Sequence, residues 1–262
     1  MPNTLLPSAS AALAWPARAD GLSGAPGARL WTPAPGVFVA LALADTVLAT
    51  PRAVKRLRPE ECRSAASMAA WRAREHLAGR ALLRLLLAEV AGEEDARAPV
   101  VPEPNGRPRL PDCQNTGVSI SHSGPYAAAA VATGLDVGVD AQVPRPPSAA
   151  LLRRCCAPGT AARLANLPSE RAALAFAQVW TVQEACVKAR GTGLSGAPWR
   201  VRADPDGQAG TWGALHWRRP PWHDAVGAEP VALACAFGPP EAHPAHLVAA
   251  SHGRPDPESR AS

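Results

Sequence analysis

Hydrophobic residues recur at helical spacing in two long stretches of the chain. Residues 59–90 form the first, a helical region, continuous or broken, whose later part repeats leucines every three or four positions. Residues 170–190 form the second, which ends at Gly191, and glycine readily adopts the left-handed backbone that closes a helix. Residues 148–157 predict a shorter helix between them.

Short apolar or alternating segments before, between and after these helices predict strands. The predicted strands are residues 36–43, 118–123, 126–131, 137–142, 199–202, 211–218 and 231–237. Gly124 and Pro125 join the second and third of them into a hairpin.

Helix and strands therefore occur twice in similar order, with a boundary near residue 134. This pattern predicts an α+β fold made of two similar halves, a pseudo-duplicated arrangement, at residues 31–133 and 134–240. The flanking segments have no hydrophobic period. We expect residues 1–30 to be a poorly ordered arm and residues 241–262 to be a loose tail.

The amino-acid composition limits the kinds of binding partner that we expect. The net charge of +5 comes with an excess of arginine, which suits a phosphate or an acidic partner but also an ordinary basic surface. Aromatic residues make up only 5% of the chain and no zinc-finger or RNP-like motif occurs, so we expect no nucleic acid. No apolar run of about 18 residues exists to cross a membrane. Six cysteines without a CxxC pair predict reduced thiols and a cytoplasmic location, and we expect a monomer.

Oxygen-bearing side chains suggest a metal site. Asp140 and Gln142 are two positions apart in a predicted strand, so they project from one face. Two oxygen donors there suit Mg²⁺, to which Glu184 of the long helix can add a carboxylate. Alternatively, Asp140 is a turn or cap residue. Trp180, Glu184 and Lys188 share one helical stripe, and the simpler interpretation is a solvated Glu–Lys pair beside a core tryptophan.

Two further motifs carry candidate phosphate ligands. Ser121 and His122 stand near the end of a predicted strand, where the histidine is a phosphate ligand, a base or a structural residue. A hydrolase nucleophile elbow is a poorer fit because no G-x-S-x-G occurs. Arg107 lies in an Asn-Gly-Arg-Pro turn and is a candidate phosphate fork. A basic edge on the first long helix includes Arg80, for which a solvated face is the alternative.

These motifs resemble, in order and spacing, the 4'-phosphopantetheinyl transferases of the long, Sfp-like class. The order is Asn-Gly-Arg-Pro, Ser-x-Ser-His-Ser, Gly-Val-Asp, then Trp-Thr-x-x-Glu-Ala-x-x-Lys-x-x-Gly-x-Gly-Leu, within residues 50–240. The resemblance implies two similar α+β halves with coenzyme A in the cleft between them. It also implies a holo-[carrier-protein] synthase, which moves the 4'-phosphopantetheine arm of coenzyme A to a serine of an acyl or peptidyl carrier protein. Adenosine 3',5'-bisphosphate would be released, and the pathway could be fatty-acid, polyketide or nonribosomal-peptide synthesis.

The resemblance also implies roles for single residues. Asp140 and Glu184 would hold Mg²⁺, with Gln142 as the third position, where many members have Glu. Glu184 would help to deprotonate the attacking serine, and Lys188 would neutralise charge on the pyrophosphate.

Ser121 and His122 would contact the 3'-phosphate or ribose end of coenzyme A. Arg107 would replace the lysine of the family's Gly-Lys-Pro turn, and Arg80 with His76 would lie on the nucleotide side.

Three departures from the family pattern leave an alternative open. Gln142 carries no charge, Gln183 stands where Lys is usual, and residues 59–63 lack the lysines that some members set near the 3'-phosphate. Arg56, Arg58 and Arg63 are candidates to replace them. The alternative is a degenerate member that binds coenzyme A or a carrier protein without catalysis.

Overall fold

Two four-stranded antiparallel sheets lie at the centre of the computed structural model, which describes Leu22 and residues 25–221 and 229–241. The strands are β1 (Arg29–Ala34), β2 (Val37–Leu43), β3 (Val101–Pro102), β4 (Pro108–Arg109), β5 (Thr116–Ser123), β6 (Tyr126–Thr133), β7 (Asp136–Gln142), β8 (Ala209–Trp212), β9 (Leu215–Arg218) and β10 (Ala232–Gly238). The first sheet has the order β1-β2-β6-β5 and the second β7-β10-β9-β8, while β3 and β4 pair separately.

Helices cover the outer faces of both sheets. They are α1 (Ala44–Ala49), α2 (Pro51–Val54), α3 (Pro59–Ala66), α4 (Ala70–Val90), α5 (Glu93–Arg97), α6 (Ala149–Cys155), α7 (Pro158–Ala165) and α8 (Ser169–Arg190). The 21-residue α4 packs on the first sheet and the 22-residue α8 on the second. The region predicted as helical over residues 59–90 is therefore two helices, α3 and α4.

Alternation along the strands divides the core into layers. In β2 the odd-numbered side chains, such as Val39, pack between the sheets, whereas Ala40 and Ala42 face α4. In β7 Val137 and Val139 likewise belong to the layer between the sheets. The inner faces of both sheets thus share one apolar core.

The two halves repeat one plan, which confirms the predicted α+β fold of two similar halves. In each half a first strand leads to a long helix, then a hairpin returns a last strand beside the first. The plan reads β2, α4, β5 and β6 in one half and β7, α8, β9 and β10 in the other. β1 is added outside β2, whereas β8 is added outside β9, so β7 stays at the edge of its sheet next to β5.

One predicted strand, at residues 199–202, is wrong. Residues Pro198–Arg200 form a 3-10 turn instead. Ala197 has a positive φ of 52°, Pro198 fixes the first position of the turn, and the indole of Trp199 stacks under the Arg154 guanidinium at 4.1 Å. The backbone conformation at Ala197 and Pro198, together with the contact to Arg154 of α6, overrides the alternating pattern of the segment.

Other segments differ in detail. The strand predicted over residues 211–218 is part of the β8–β9 hairpin, which turns at Gly213 with φ of 56°. The pattern did not predict β1 or α7. The predicted arm, residues 1–30, lies outside the described residues except for Leu22 and residues 25–30, of which Arg29 begins β1. The predicted tail lies outside them after Glu241.

All six cysteines are free thiols, without a disulfide. Those at positions 155, 156, 186 and 235 are buried, and Cys62 is exposed. Burial raises the pKa of the Cys186 thiol to about 12. Cys113 is partly exposed, and burial together with a hydrogen bond to Asp95 raises its pKa to about 11.

Candidate active site

Gly138 lets helix α8 lie directly on strand β7. A Cβ atom at this position would be 2.1 Å from the carbonyl oxygen of Ala185 and 2.5 Å from the backbone nitrogen of Ala189. Such distances are far inside van der Waals contact, so only glycine permits this approach. Asp140 follows two residues later on the same face and therefore points at the helix.

Asp140 forms a partly buried ion pair with Lys188. The aspartate is 6% exposed, and the Lys188 ammonium lies 2.6 Å from its Oδ1 atom. Lys188 also donates to the Val139 carbonyl at 3.2 Å and to the Ser121 hydroxyl at 3.1 Å. Ser121 in turn donates to Asp140 Oδ1 at 2.8 Å. One strand, its neighbour and the helix therefore meet at a single carboxylate.

Glu184 lies beside this ion pair with one oxygen unused. Its Oε1 atom is buried and has no hydrogen-bond partner. Burial raises the pKa of this carboxyl, the negative charge of Asp140 raises it further, and Lys188 opposes both. Two neighbouring carboxylates, one with a free oxygen, fit a hard divalent cation such as Mg²⁺, which completes its shell with water and phosphate oxygens. In the described part of the chain, no cluster of three or more His, Cys, Asp or Glu residues suits a metal.

A cleft of about 240 Å³ opens beside these groups, between the two halves. Glu184, Lys188 and Ser119 line it together with the turn that contains Arg107. That turn is tied to the end of α8, because the Asn105 amide donates to the Gly191 carbonyl. The Asn-Gly-Arg-Pro motif and the Gly-x-Gly motif, which are far apart in the sequence, are thus in direct contact in the structure.

Gly191 closes α8 with the left-handed φ of 64°. A Cβ there would also approach the Cδ atom of Arg107 to 3.0 Å, so the glycine makes room for the turn. The Arg107 guanidinium pairs with Asp136, while its Nε atom is buried without a partner. Part of the charge of this arginine is therefore already compensated.

A second pocket of about 250 Å³ continues the cleft past Gly106, Pro108 and Ile120. Its other lining residues are Met68, Arg72, Glu75, His76, Arg80 and His122. Most of these side chains are cationic or can become so, which suits phosphate groups.

The two histidines of this pocket differ. The Nδ1 atom of His122 lies 3.2 Å from a Glu75 oxygen, and its side chain is half exposed. The Nε2 atom of His76 is buried without a partner. Burial lowers the pKa of His76, and the positive charge of Arg80 lowers it further. Burial also lowers the pKa of Arg80, whose Nη1 atom donates to the Val100 carbonyl at 3.2 Å.

Comparison with known proteins identifies the family. Residues 60–132 match the 4'-phosphopantetheinyl transferase N-terminal domain, and residues 136–235 match the 4'-phosphopantetheinyl transferase superfamily. The chain belongs to the 4'-phosphopantetheinyl transferase family.

Individual relatives carry the same name. The chain is 34% identical to slr0495 of Synechocystis sp. over 121 residues, which cover 45% of this chain and 49% of the relative. It is 33% identical to HetI of Nostoc sp. over 127 residues, 47% of this chain and 54% of the relative. It is 29% identical to psf-1 of Bacillus pumilus over 139 residues, 52% of this chain and 59% of the relative. The chain thus spans about half the length of the curated relatives it matches.

Gln142, a departure from the usual pattern of these transferases, makes a local hydrogen bond instead of one to the carboxylate pair. Its Nε2 atom donates to the Val143 carbonyl at 2.9 Å. Its side chain lines a different pocket of about 190 Å³ beside Trp180, which neither Asp140 nor Glu184 lines. No hydrogen bond among the described residues joins Gln142 to either carboxylate.

Gln183, the second departure, has a structural place. It is fully buried, and its Nε2 atom donates to the carbonyls of Cys155 at 2.7 Å and Val201 at 3.1 Å. The amide therefore ties the end of α6 and the turn after α8 to helix α8. A lysine there would need another conformation to reach solvent.

The sequence placed Arg72 on the basic edge of the helix without a role in the cleft and gave no sign of Glu75, yet both line the second pocket. Arg72, His76 and Arg80 stand at i, i+4 and i+8 of α4, a spacing that places them on one helical face. That signal was available in the sequence. The alternatives Arg56 and Arg58 pair with Glu93 and Glu60 instead and line neither part of the cleft.

Among the residues that the structure describes, no helix is long and apolar enough to cross a membrane.

Proposed function

We propose that this protein transfers the 4'-phosphopantetheine arm of coenzyme A to a serine of an acyl or peptidyl carrier protein, with Mg²⁺ as cofactor. The observation that carries the proposal is the pair of carboxylates Asp140 and Glu184 beside Lys188, with an unpaired Glu184 oxygen. The names of the relatives support the same activity.

The chemistry is phosphoryl transfer. The serine oxygen of the carrier forms a bond to the phosphorus that bears pantetheine, and the bond to adenosine 3',5'-bisphosphate breaks. Such a reaction needs charge stabilisation and a positioned hydroxyl more than covalent help. When bound, Mg²⁺ would supply positive charge to the phosphate oxygens.

The residues divide this work. Glu184 accepts the serine proton, and a raised pKa makes it a stronger base than an ordinary carboxylate. Lys188 holds Asp140 in place and offers its ammonium to the pyrophosphate. Asp140 and Glu184 hold the metal, and Gln142 is at most a more distant contributor because its amide is turned to Val143.

The second pocket suits the nucleotide end of coenzyme A. Arg80, Arg72 and His122 offer donors for the 3'-phosphate, and His76 offers a neutral ring with a free Nε2 atom. Arg107 lines the part of the cleft where the pyrophosphate would pass, and Ser121 supports the carboxylate pair through its hydrogen bond to Asp140.

The carrier protein is proposed to be acidic. The net charge of +5 would speed its approach, because complementary charge raises association rates. Fatty-acid, polyketide and nonribosomal-peptide carriers all meet this description. We further propose a cytoplasmic monomer that binds neither nucleic acid nor membranes.

The test is the intact mass of apo carrier proteins after incubation with this protein, Mg²⁺ and coenzyme A. We expect a gain of one phosphopantetheine group, lost on chelation of the metal. Glu184→Gln should lower the rate by about 10³-fold or more, since it removes base and ligand together. Glu170→Gln, on the exposed first turn of the same helix, is the matched control and should retain the rate. Binding of coenzyme A without any mass gain across carriers would favour the degenerate binder.

A further inference from the structure

Three serines of β5 replace the missing partner strand of β7. Val139, Ala141 and Val143 donate their backbone N–H groups to the hydroxyls of three serines. The acceptors are Ser119 at 3.0 Å, Ser121 at 3.2 Å and Ser123 at 2.9 Å. The offset of 20 residues is the same in all three bonds, so β5 and β7 run in the same direction.

These bonds matter because β7 is the edge strand of its sheet. Its other side pairs with β10, and the side toward β5 has no backbone ladder. Val139 is fully buried and Ala141 is 2% exposed, so water cannot replace a lost partner. A buried N–H group without an acceptor is strongly unfavourable. These three hydrogen bonds from the backbone of β7 to the serines of β5 therefore join the two halves, and we call them the seam.

Asp140 is held from both sides by this seam. Before it in the chain, Val139 gives its N–H to Ser119 and accepts from Lys188 at its carbonyl. After it, Ala141 gives its N–H to Ser121. The backbone that carries Asp140 therefore has little freedom to move toward or away from α8.

We propose that Ser119 is a positioning residue for the carboxylate pair. By holding the Val139 amide, it fixes how far Asp140 reaches toward Glu184 and so sets the affinity of the pair for a divalent cation. This inference rests on the metal site of the proposed function. Ser119 is 3% exposed and lines the cleft, but no hydrogen bond joins it to Asp140 or Glu184.

The neighbouring serines supply the comparison. Ser121 contacts Asp140 and Lys188 directly, so its removal would change the ion pair itself. Ser123 makes the same kind of bond as Ser119, but to Val143, three residues beyond Asp140. Ser123→Ala is therefore the matched control, since it removes one seam bond without touching the backbone next to Asp140.

The test is a titration of the protein–coenzyme A complex with Mn²⁺, with free Mn²⁺ measured by electron paramagnetic resonance. We expect Ser119→Ala to raise the Mn²⁺ dissociation constant about tenfold, the usual size for a residue that orients a metal ligand. Ser119→Thr, which keeps the hydroxyl, should restore the affinity to within about twofold of wild type, and Ser123→Ala should match wild type. In the transfer assay, the Mg²⁺ concentration for half-maximal rate should rise with Ser119→Ala more than the rate at saturating Mg²⁺ falls.

Other outcomes would overturn the inference. Equal losses of affinity in Ser119→Ala and Ser123→Ala would mean that the seam acts on stability alone. An unchanged Mn²⁺ affinity with a lower rate would give Ser119 a different role. If Ser119→Ala does not fold, Ser119→Cys takes its place, because cysteine has a similar volume but its sulfur is a weaker hydrogen-bond acceptor. Its Mn²⁺ dissociation constant should also rise, while that of Ser123→Ala stays at the wild-type value. Wild-type protein that binds Mn²⁺ but modifies no carrier would refute the proposed function and leave this titration decisive for Ser119.

Discussion

The two halves have the same plan, yet their first strands present opposite chemistry to their long helices. In β2 the positions that face α4 include Ala40 and Ala42, which are apolar and buried. In β7 the corresponding face carries Gly138, Asp140 and Gln142. The contact between β2 and α4 is therefore apolar, whereas the contact between β7 and α8 is brought close by a glycine and contains charged side chains.

Each half also has a glutamate in or against its long helix, but Glu61 is buried whereas Glu184 is only partly buried. Glu61 accepts from Arg84 at 2.9 and 2.7 Å and from the Arg58 backbone at 3.0 Å, so both its oxygens are used. Glu184 keeps one oxygen without a partner. A fully satisfied carboxylate stabilises a scaffold, whereas an unsatisfied one is available to bind a ligand. Glu61 thus supports the scaffold of the first half, whereas Glu184 keeps an oxygen free beside the cleft.

The largest expected effect tests this contrast in stability. Glu61→Gln leaves the fully buried Arg84 without its charge partner and should lower the free energy of unfolding by about 3–5 kcal/mol. Glu184→Gln removes a carboxylate that burial disfavours and should not destabilise. Urea denaturation of both variants measures the difference. A similar loss in the two would erase the distinction between the halves.

Glycine-to-alanine changes give the next effect. Gly138→Ala would drive its new methyl into the backbone of α8, and we expect a loss of about 1–3 kcal/mol together with most of the transfer rate. Gly79→Ala on α4 meets only the Cγ2 atom of Ile120, at 2.7 Å, and gains helix propensity, so its effect should be much smaller. Thermal unfolding measures the stability of both variants, and the carrier assay measures their transfer rates. Equal tolerance at the two sites would show that α8 can shift on β7.

A pH series sharpens the role of Glu184. Burial raises the pKa of the Glu184 carboxyl in the folded protein above its ordinary value of 4.5, so wild type loses stability as pH rises from 4.5 through the folded pKa. The Glu184→Gln variant has no ionisable group at this position, so it does not lose stability in this way. We expect equal Tm values near pH 4 and a Tm about 2–4 °C higher for the variant near pH 8. A variant that melts lower than wild type at high pH would contradict the assigned direction.

The smallest effect belongs to Gln142→Glu. Because the Gln142 side chain turns to Val143 beside Trp180, a new charge there acts on the metal only at a distance. We expect the Mg²⁺ concentration for half-maximal transfer to fall by no more than about threefold. A much larger tightening would place residue 142 directly on the ion.

The sequence predicted the elements that follow simple periods. The leucine spacing of α4 and the long run of α8 were enough to locate both helices, and the serine-rich hairpin was readable from its alternation. The turn around Trp199 could not be predicted from its own sequence, because it depends on a stacking contact with Arg154, which lies in α6. Local pattern carries no information about such distant partners.

The candidate site shows the same limit. Spacing alone put Glu184 and Lys188 on one stripe and Asp140 on a strand. It did not predict that Lys188 would pair with Asp140, or that Gln142 would turn away. The Lys188–Asp140 pair depends on the close approach of α8 to β7 at Gly138, which is a property of two packed backbones. The structural role of Gln183 could not be predicted for the same reason, since its hydrogen-bond partners lie in other elements.

The burial of the thiols has a consequence for redox chemistry. Coenzyme A ends in a thiol, and its oxidised forms exchange with protein cysteines only through an accessible thiolate. Cys186, with a pKa near 12 and no exposure, stays protonated and out of reach. Cys62 is exposed and lines neither part of the cleft. Oxidised coenzyme A should therefore attach at Cys62 and leave the groups around Glu184 chemically intact.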